Sequence, residues 1–275
     1  MDQILPPTGI PSQINPLLMR VRIPGESFTL PSGGVFYTNG ELAPDVKNGE
    51  VHVYPMTGID ELIMKSVDKI LNGEAVKEVF GRCIPSILKP GELSAKDIDY
   101  LLVAIKKVSY GPTFDITYTH TCENAEQHTY ELALDIFLRG AKSLNPTTIK
   151  SSYQHVLENK QVVYFKPATY DDVIEVYKTE QIHHAQADDS ESHSDMLNRL
   201  LTSAAILIDR VDDTSDRAMI VEWLKSLPVQ WLQSISEAAT RTTDWGVEFN
   251  VPIKCIDCGE ELVIPTPLNP ISFFI

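Results

Sequence analysis

The residues best suited to chemistry in this chain form a soft-ligand set split between two distant stretches. One is Cys255-Ile-Asp-Cys258-Gly259, near the C-terminus. The other is Thr121-Cys122-Glu-Asn-Ala-Glu-Gln-His128, near the middle. Brought together they supply Cys122, His128, Cys255 and Cys258, a Cys3His set suited to tetrahedral zinc. Cys-x-x-Cys lets both sulfurs point at one ion while the chain reverses, and Gly259 can take the φ > 0 such a turn needs. The spacing from Cys122 to His128 is looser. His120 is a rival ligand, disfavoured because it and Cys122 alternate too tightly for a two-ligand grip. Four protein ligands leave no position for water, so the expected metal is a structural clamp between remote segments. The rival reading of Cys-x-x-Cys, a redox pair, calls for a thioredoxin-like βαβ setting.

The flanking sequence predicts hairpins instead. Phe114, Ile116 and Tyr118 alternate with polar residues before the first stretch, and Tyr130, Leu132, Leu134 and Ile136 follow it. Val247, Phe249, Val251 and Ile253 alternate before the second, and Leu262 and Ile264 follow it. This period of two marks half-buried strands. Val51 and Val53 predict one more strand, and Gln161–Pro167 another. Helices are expected from Thr57-Gly-Ile-Asp60, a capping box with Asp in place of Glu, to Leu71, and from Glu74 to Cys83. A third opens at Ser94-Ala-Lys-Asp97 and stops at Tyr110-Gly111-Pro112. Thr169-Tyr-Asp-Asp172 starts a helix through Tyr177. Met196, Leu197, Leu200, Leu201, Ala204, Ile208 and Val211 give one further helical face. Residues 218–239 give another, with Pro228 bending or splitting it. Trp223, Leu224 and Trp231 default to core, with a partner face as the other reading.

Other groups are assigned bland roles. Cys83 follows Val76, Val79 and Phe80 and is expected to be a buried thiol. Asp60, Glu61, Asp97 and Asp99 complement helix dipoles. His183, His184 and His193 lie in a polar acidic run read as a solvated loop rather than a second metal site. Gly33-Gly34 has no Gly-Lys-Ser/Thr behind it, so no phosphate loop is expected.

The formal net charge of −15 argues against nucleic-acid partners and anionic membrane surfaces. With four cysteines in 275 residues, two of them in Cys-x-x-Cys, a reducing compartment is expected. There is no run of about 18 apolar residues and no signal-peptide pattern, so no membrane span or export is expected.

Several stretches, in order, carry a resemblance. They are Leu30-Pro-Ser-Gly-Gly-Val-Phe-Tyr37, Val53-Tyr-Pro-Met-Thr-Gly-Ile-Asp-Glu61, Tyr110-Gly-Pro-Thr-Phe114 before the first hairpin, and the second knuckle followed by Phe273-Phe274. Together the sequence resembles the baseplate hub family of contractile-tailed, T-even-type bacteriophages, the hub subunit or hub assembly protein. Family members often carry a Cys-x-x-Cys-type turn at the first knuckle as well; here Cys122 and His128 stand in its place. The resemblance implies a non-enzymatic part of the phage tail that acts in hub assembly. It implies other hub proteins and the tape-measure protein as partners, and a location in the host cytoplasm during assembly and in the virion tail baseplate.

The expected fold class is α+β, with an antiparallel β region carrying two knuckle hairpins as a zinc-ribbon-like clamp, plus packed helices. The expected division is an extended arm over 1–27, which can lie along a partner, and an α+β region with the first knuckle over 28–142. A strand and helical region follows over 143–245, and the second knuckle with its apolar tail over 246–275. Two function classes compete with the hub reading. A zinc-ribbon adaptor of a nucleic-acid-processing complex would show salt-dependent DNA or RNA binding. A zinc hydrolase would need an open coordination position and a general base.

Overall fold

Alternation in Glu-Val-His-Val places Val51 and Val53 of strand β2 (Glu50–Val53) in the core and leaves His52 outside. Strand β1 (Glu26–Thr29) pairs antiparallel with it, Phe28 opposite Val51. The structure, a computed structural model, describes residues 24–119, 127–144, 153–186, 201–202 and 204–266. Residues 1–23 of the arm expected over 1–27 and residues 267–275 of the apolar tail lie outside the described residues, and the last two arm residues, Glu26 and Ser27, already belong to β1.

Helices α1 (Gly58–Met64), α2 (Val67–Leu71) and α3 (Glu74–Cys83) come next. The single helix expected to Leu71 is two. Ser66 leaves the helical region at φ −79°, ψ 103° and becomes the N-cap of α2. Serine favours caps because its side chain competes for backbone bonds in a helix interior. Gly73, at φ 79°, separates α2 from α3 as the Asn72-Gly73 stop anticipates. Helix α4 (Ala95–Tyr110) buries Ile98, Leu101, Leu102 and Ile105 and ends at Gly111. Cys83 is buried, and burial pushes its thiol up to about 12, in keeping with an inert core residue.

Strands β3 (Thr113–Thr119) and β4 (Gln127–Ala133) form the first hairpin. The alternation expected to run to Ile136 stops early. Helix α5 (Asp135–Gly140) takes over after Leu134, whose N–H bonds back to the Pro112 carbonyl at 2.8 Å. Strands β5 (Gln154–Val156), β6 (Val162–Phe165) and β7 (Ile208–Val211) make a three-stranded antiparallel sheet. Helix α6 (Tyr170–Gln186) runs past the expected end at Tyr177, so His183 and His184 sit on helical backbone rather than in a loop; His193 lies outside the described residues.

β7 corrects the helical face read through Val211. Residues 204–206 are helical, but Ile208 and Val211 lie in the strand. The register of β7 shifts at Tyr164/Phe165, and both Ile208 and Val211 are buried although three residues apart. A spacing of three in a bulged strand imitates the helical period. Pro228 does split its helix, into α7 (Arg217–Ser226) and α8 (Val229–Thr242). Strands β8 (Asn250–Lys254) and β9 (Glu261–Pro265) form the second hairpin.

The class is α+β, but the two hairpins do not share a ladder: β3–β4 and β8–β9 are separate two-stranded sheets. They share a core instead. Tyr118, Leu132, Val251 and Ile253 join Phe80, Leu101, Ile105 and Phe137 in one apolar cluster. A second cluster gathers Tyr153, Val163, Phe165, Ile208, Ile220, Leu224 and Ile235, with Trp223 and Trp231 half-buried against it.

The loop from Leu30 to Tyr37 touches both clusters. Leu30 is 2 % exposed in the first. Phe36 packs against Tyr153 and Trp245, with ring centroids at 5.4 and 6.1 Å. Its Gly-Gly pair serves backbone packing. Gly33 and Gly34 have φ of 62° and 76°, and a Cβ on Gly49 would stand 2.7 Å from the Gly33 carbonyl carbon. Across the same joint, Lys142 and Gly246 exchange two backbone hydrogen bonds of 2.9 Å.

Half-buried Asp99 on α4 generates a pH test. Burial pushes its carboxyl up to about 7, with Lys96 pulling the other way. An acid whose folded pKa is raised binds more protons folded than unfolded, so stability is lost as pH rises from the ordinary carboxylate range toward 7. Asp99→Asn should flatten that decline and raise the urea midpoint above neutrality. An unchanged pH profile would contradict the placement.

Candidate functional site: the joint between two hairpins

The turn of the second hairpin is built as its spacing requires. The Gly259 N–H donates to the Cys255 carbonyl at 2.9 Å, and the Cys255 N–H to the Glu260 carbonyl at 2.8 Å. Gly259 sits at φ 75°, the left-handed conformation the turn demands. Cys255 is buried and Cys258 exposed, so one thiol faces the protein and the other solvent.

This turn meets the first hairpin. The His128 ring lies 2.6 Å, Nε2 to Oδ2, from Asp257, the residue just before Cys258. The Ile256 N–H donates to the Tyr118 hydroxyl at 3.3 Å. His128 is in β4 rather than in the turn and pairs across the ladder with Tyr118, the rings 5.7 Å apart. Residues far apart in sequence are therefore in contact at the two tips. Cys122 and His120 lie outside the described residues. Among the described residues, no three His, Cys, Asp or Glu side chains are grouped to hold a metal ion.

An aromatic row supports the joint from behind. Phe137 of α5 lies 6.2 Å from Phe114 of β3 and 5.5 Å from Phe249, just ahead of β8. Tilted ring pairs at these distances add about 0.5–1.5 kcal/mol each beyond their burial. The alternation in the sequence identified Phe114 and Phe249 as inward-facing. Phe137 was missed because it lies on a helix where strand alternation seemed to continue. Tyr118 read as plain core, and Asp257 as a spacer between cysteines; only their chain neighbours could have pointed to them.

The helix-start acids have tertiary partners as well as dipole roles. Asp60 accepts from the Thr57 N–H at 2.7 Å, closing the expected box, and also pairs with Arg82 of α3. Burial works against its charge, but the Thr57 bonds and the Arg82 guanidinium outweigh it and hold the carboxyl below its usual value. Asp172 repeats the arrangement with Thr169 and takes Arg217 of α7 at 2.6 Å. Asp97 differs, because a tyrosine enters its box. The Ser94 N–H donates to the Tyr37 hydroxyl at 3.0 Å, and that hydroxyl donates to Asp97. The second Asp97 oxygen accepts the Ser32 N–H at 3.1 Å. Burial pushes Asp97 up, against the hydrogen bonds from Ser32 and Tyr37.

The geometry is that of a scaffold: two hairpins fixed tip to tip on a helical core, with charge spent on joining elements. The sequence matches the family described as T4 bacteriophage base plate protein over residues 29–275, and the chain belongs to that family. No curated protein matches it, and no solved structure does. Membership makes it a structural component of a phage baseplate, in the virion tail, with other baseplate components as partners. No helix among the described residues is long and apolar enough to cross a membrane.

The joint can be tested by removing its support. Phe137→Ala should cost about 3–5 kcal/mol, the range for a buried Phe truncation. Hydrogen exchange should show faster amides in both β4 and β8. Loss of protection in one hairpin alone would contradict a shared joint.

Proposed function

We propose that the chain acts in assembling the hub of the baseplate, through protein–protein contacts, and that a structural zinc ion ties its two hairpin tips together. The baseplate family supports the setting. The tip-to-tip contact of His128 with Asp257 supports the clamp, because it places one ligand candidate against the turn that carries Cys255 and Cys258. Cys122 completes the set in this reading. Metal-bound histidines usually give their other ring nitrogen to a carboxylate, which would make Asp257 the group that orients His128. Bound zinc would supply rigidity and no reaction.

The resemblance read from the ordered motifs supports the hub as the location. Other hub proteins are the proposed partners, with the tape-measure protein as a further one. Assembly in the host cytoplasm precedes incorporation into the tail. No catalytic function is part of this reading.

One experiment addresses both halves. Natively purified protein should carry about one zinc per chain by mass spectrometry, and Cys258→Ser should lose it. Phage relying on that variant should accumulate fewer hub intermediates. A folded, metal-free wild-type protein would reject the clamp. Normal tails in the complete absence of the chain would reject the hub role.

A further inference from the structure

A small cavity lies between the end of β7 and the start of α7, and none of its lining residues belongs to the hairpin joint. Its volume is about 240 Å³, and Val211, Met219, Ile220 and Trp223 give it apolar walls. Met219 and Trp223, four residues apart, share one face of α7. Met219 is 61 % exposed. Trp223 is half-buried against the second core cluster, and its indole N–H donates to the Gln161 side chain at 3.3 Å, which fixes the ring. Val211 and Ile220 are buried, so the floor of the cavity is the core itself.

The connection from β7 to α7 forms a rigid rim. Val211 and Thr214 exchange two backbone hydrogen bonds of 2.9 Å. Asp212 accepts the Val162 N–H at 2.8 Å, and Asp216, the N-cap of α7, accepts the Met219 N–H at 2.9 Å. This rim is acidic. Asp212 lines the cavity, Asp213 follows it, and Glu222 stands three residues from Met219 on the same face. With Asp216, all of these carboxylates are exposed. Arg217 is the one basic residue between positions 212 and 222, and it is turned to Asp172 and Glu175. Lys160, in the turn before Gln161, offsets only part of the negative charge.

A cavity of this size has room for one large side chain and not for a helix. Its apolar walls call for an apolar group, and Met and aromatic residues are enriched at the cores of protein interfaces. The rim selects what carries that group. Carboxylates repel nucleic acid and acidic surfaces and attract lysine and arginine. A rim already held by hydrogen bonds also lowers the ordering cost of binding.

We propose that this cavity docks another protein, which inserts one apolar side chain flanked by lysines or arginines. The docking site depends neither on the zinc clamp nor on a location in the hub.

The probe is a fluorescein-labelled peptide with one phenylalanine between two pairs of lysines, titrated with the full-length protein and read by anisotropy. It should bind saturably, with a Kd below about 1 mM. Met219→Gln, at an exposed position, should leave the melting temperature unchanged and weaken binding about tenfold, as expected for losing one apolar contact. Asp213→Asn combined with Glu222→Gln should weaken it about threefold at low salt and leave it unaltered at high salt. No saturable binding by the wild type, or equal binding by Met219→Gln, would overturn the proposal. So would equal binding of a peptide with serine in place of the phenylalanine, or with glutamates in place of the lysines. A wild-type chain that dimerises, and that Met219→Gln makes monomeric, would also overturn it, because the occupant would then be a second copy.

Discussion

The fold depends on one buried carboxylate. Asp97 is fully buried at the N-terminus of α4, where a helix favours negative charge. It holds the loop from Leu30 to Tyr37 through the Ser32 N–H and the Tyr37 hydroxyl. Burying a carboxylate is costly unless its lone pairs are satisfied, so the loop is pinned wherever those donors must stand. Burial also pushes Tyr37 well above its ordinary value, with the Asp97 carboxylate beside it adding to the shift. From that pinned loop, Leu30 reaches one core and Phe36 the other. The loop thereby adds one link between the two clusters, beside the Lys142–Gly246 backbone pair and the Asp172–Arg217 ion pair.

The three helix-start boxes show how one local motif takes on different work. Thr57 with Asp60 and Thr169 with Asp172 close on themselves, and each carboxylate then accepts an arginine from another helix. Ser94 with Asp97 is opened by Tyr37, so the box becomes a tertiary lock. The Asp172–Arg217 pair adds another link between the cores, because Tyr170 of α6 lies in the first and α7 packs in the second.

Much of this was legible in the residues. Alternation found both metal-candidate hairpins, and the Cys255–Gly259 turn has the conformation its spacing called for. Stop signals at Asn72-Gly73, Gly111-Pro112 and Pro228 all act where they stand. The misreadings share a cause: local periodicity cannot see the partner across the space. Ile208 and Val211 looked helical because a bulge in the sheet gives a spacing of three. Leu134 and Ile136 looked like strand because the first turn of a helix can continue an alternating pattern. At the candidate joint, the sequence named His128 and the two cysteines. It could not name Asp257 or Tyr118, whose importance comes from contacts between residues more than a hundred apart. Asp97 read as a dipole partner for the same reason, since Tyr37 is remote in sequence.

The most direct measurement is native-state hydrogen exchange on Tyr37→Phe, which removes a single hydroxyl from the lock. If the loop joins the two cores into one cooperative unit, the slowest amides of α4 in the first core and β6 in the second should lose protection by the same factor. Faster exchange confined to residues 32–37, with both cores unchanged, would contradict the account.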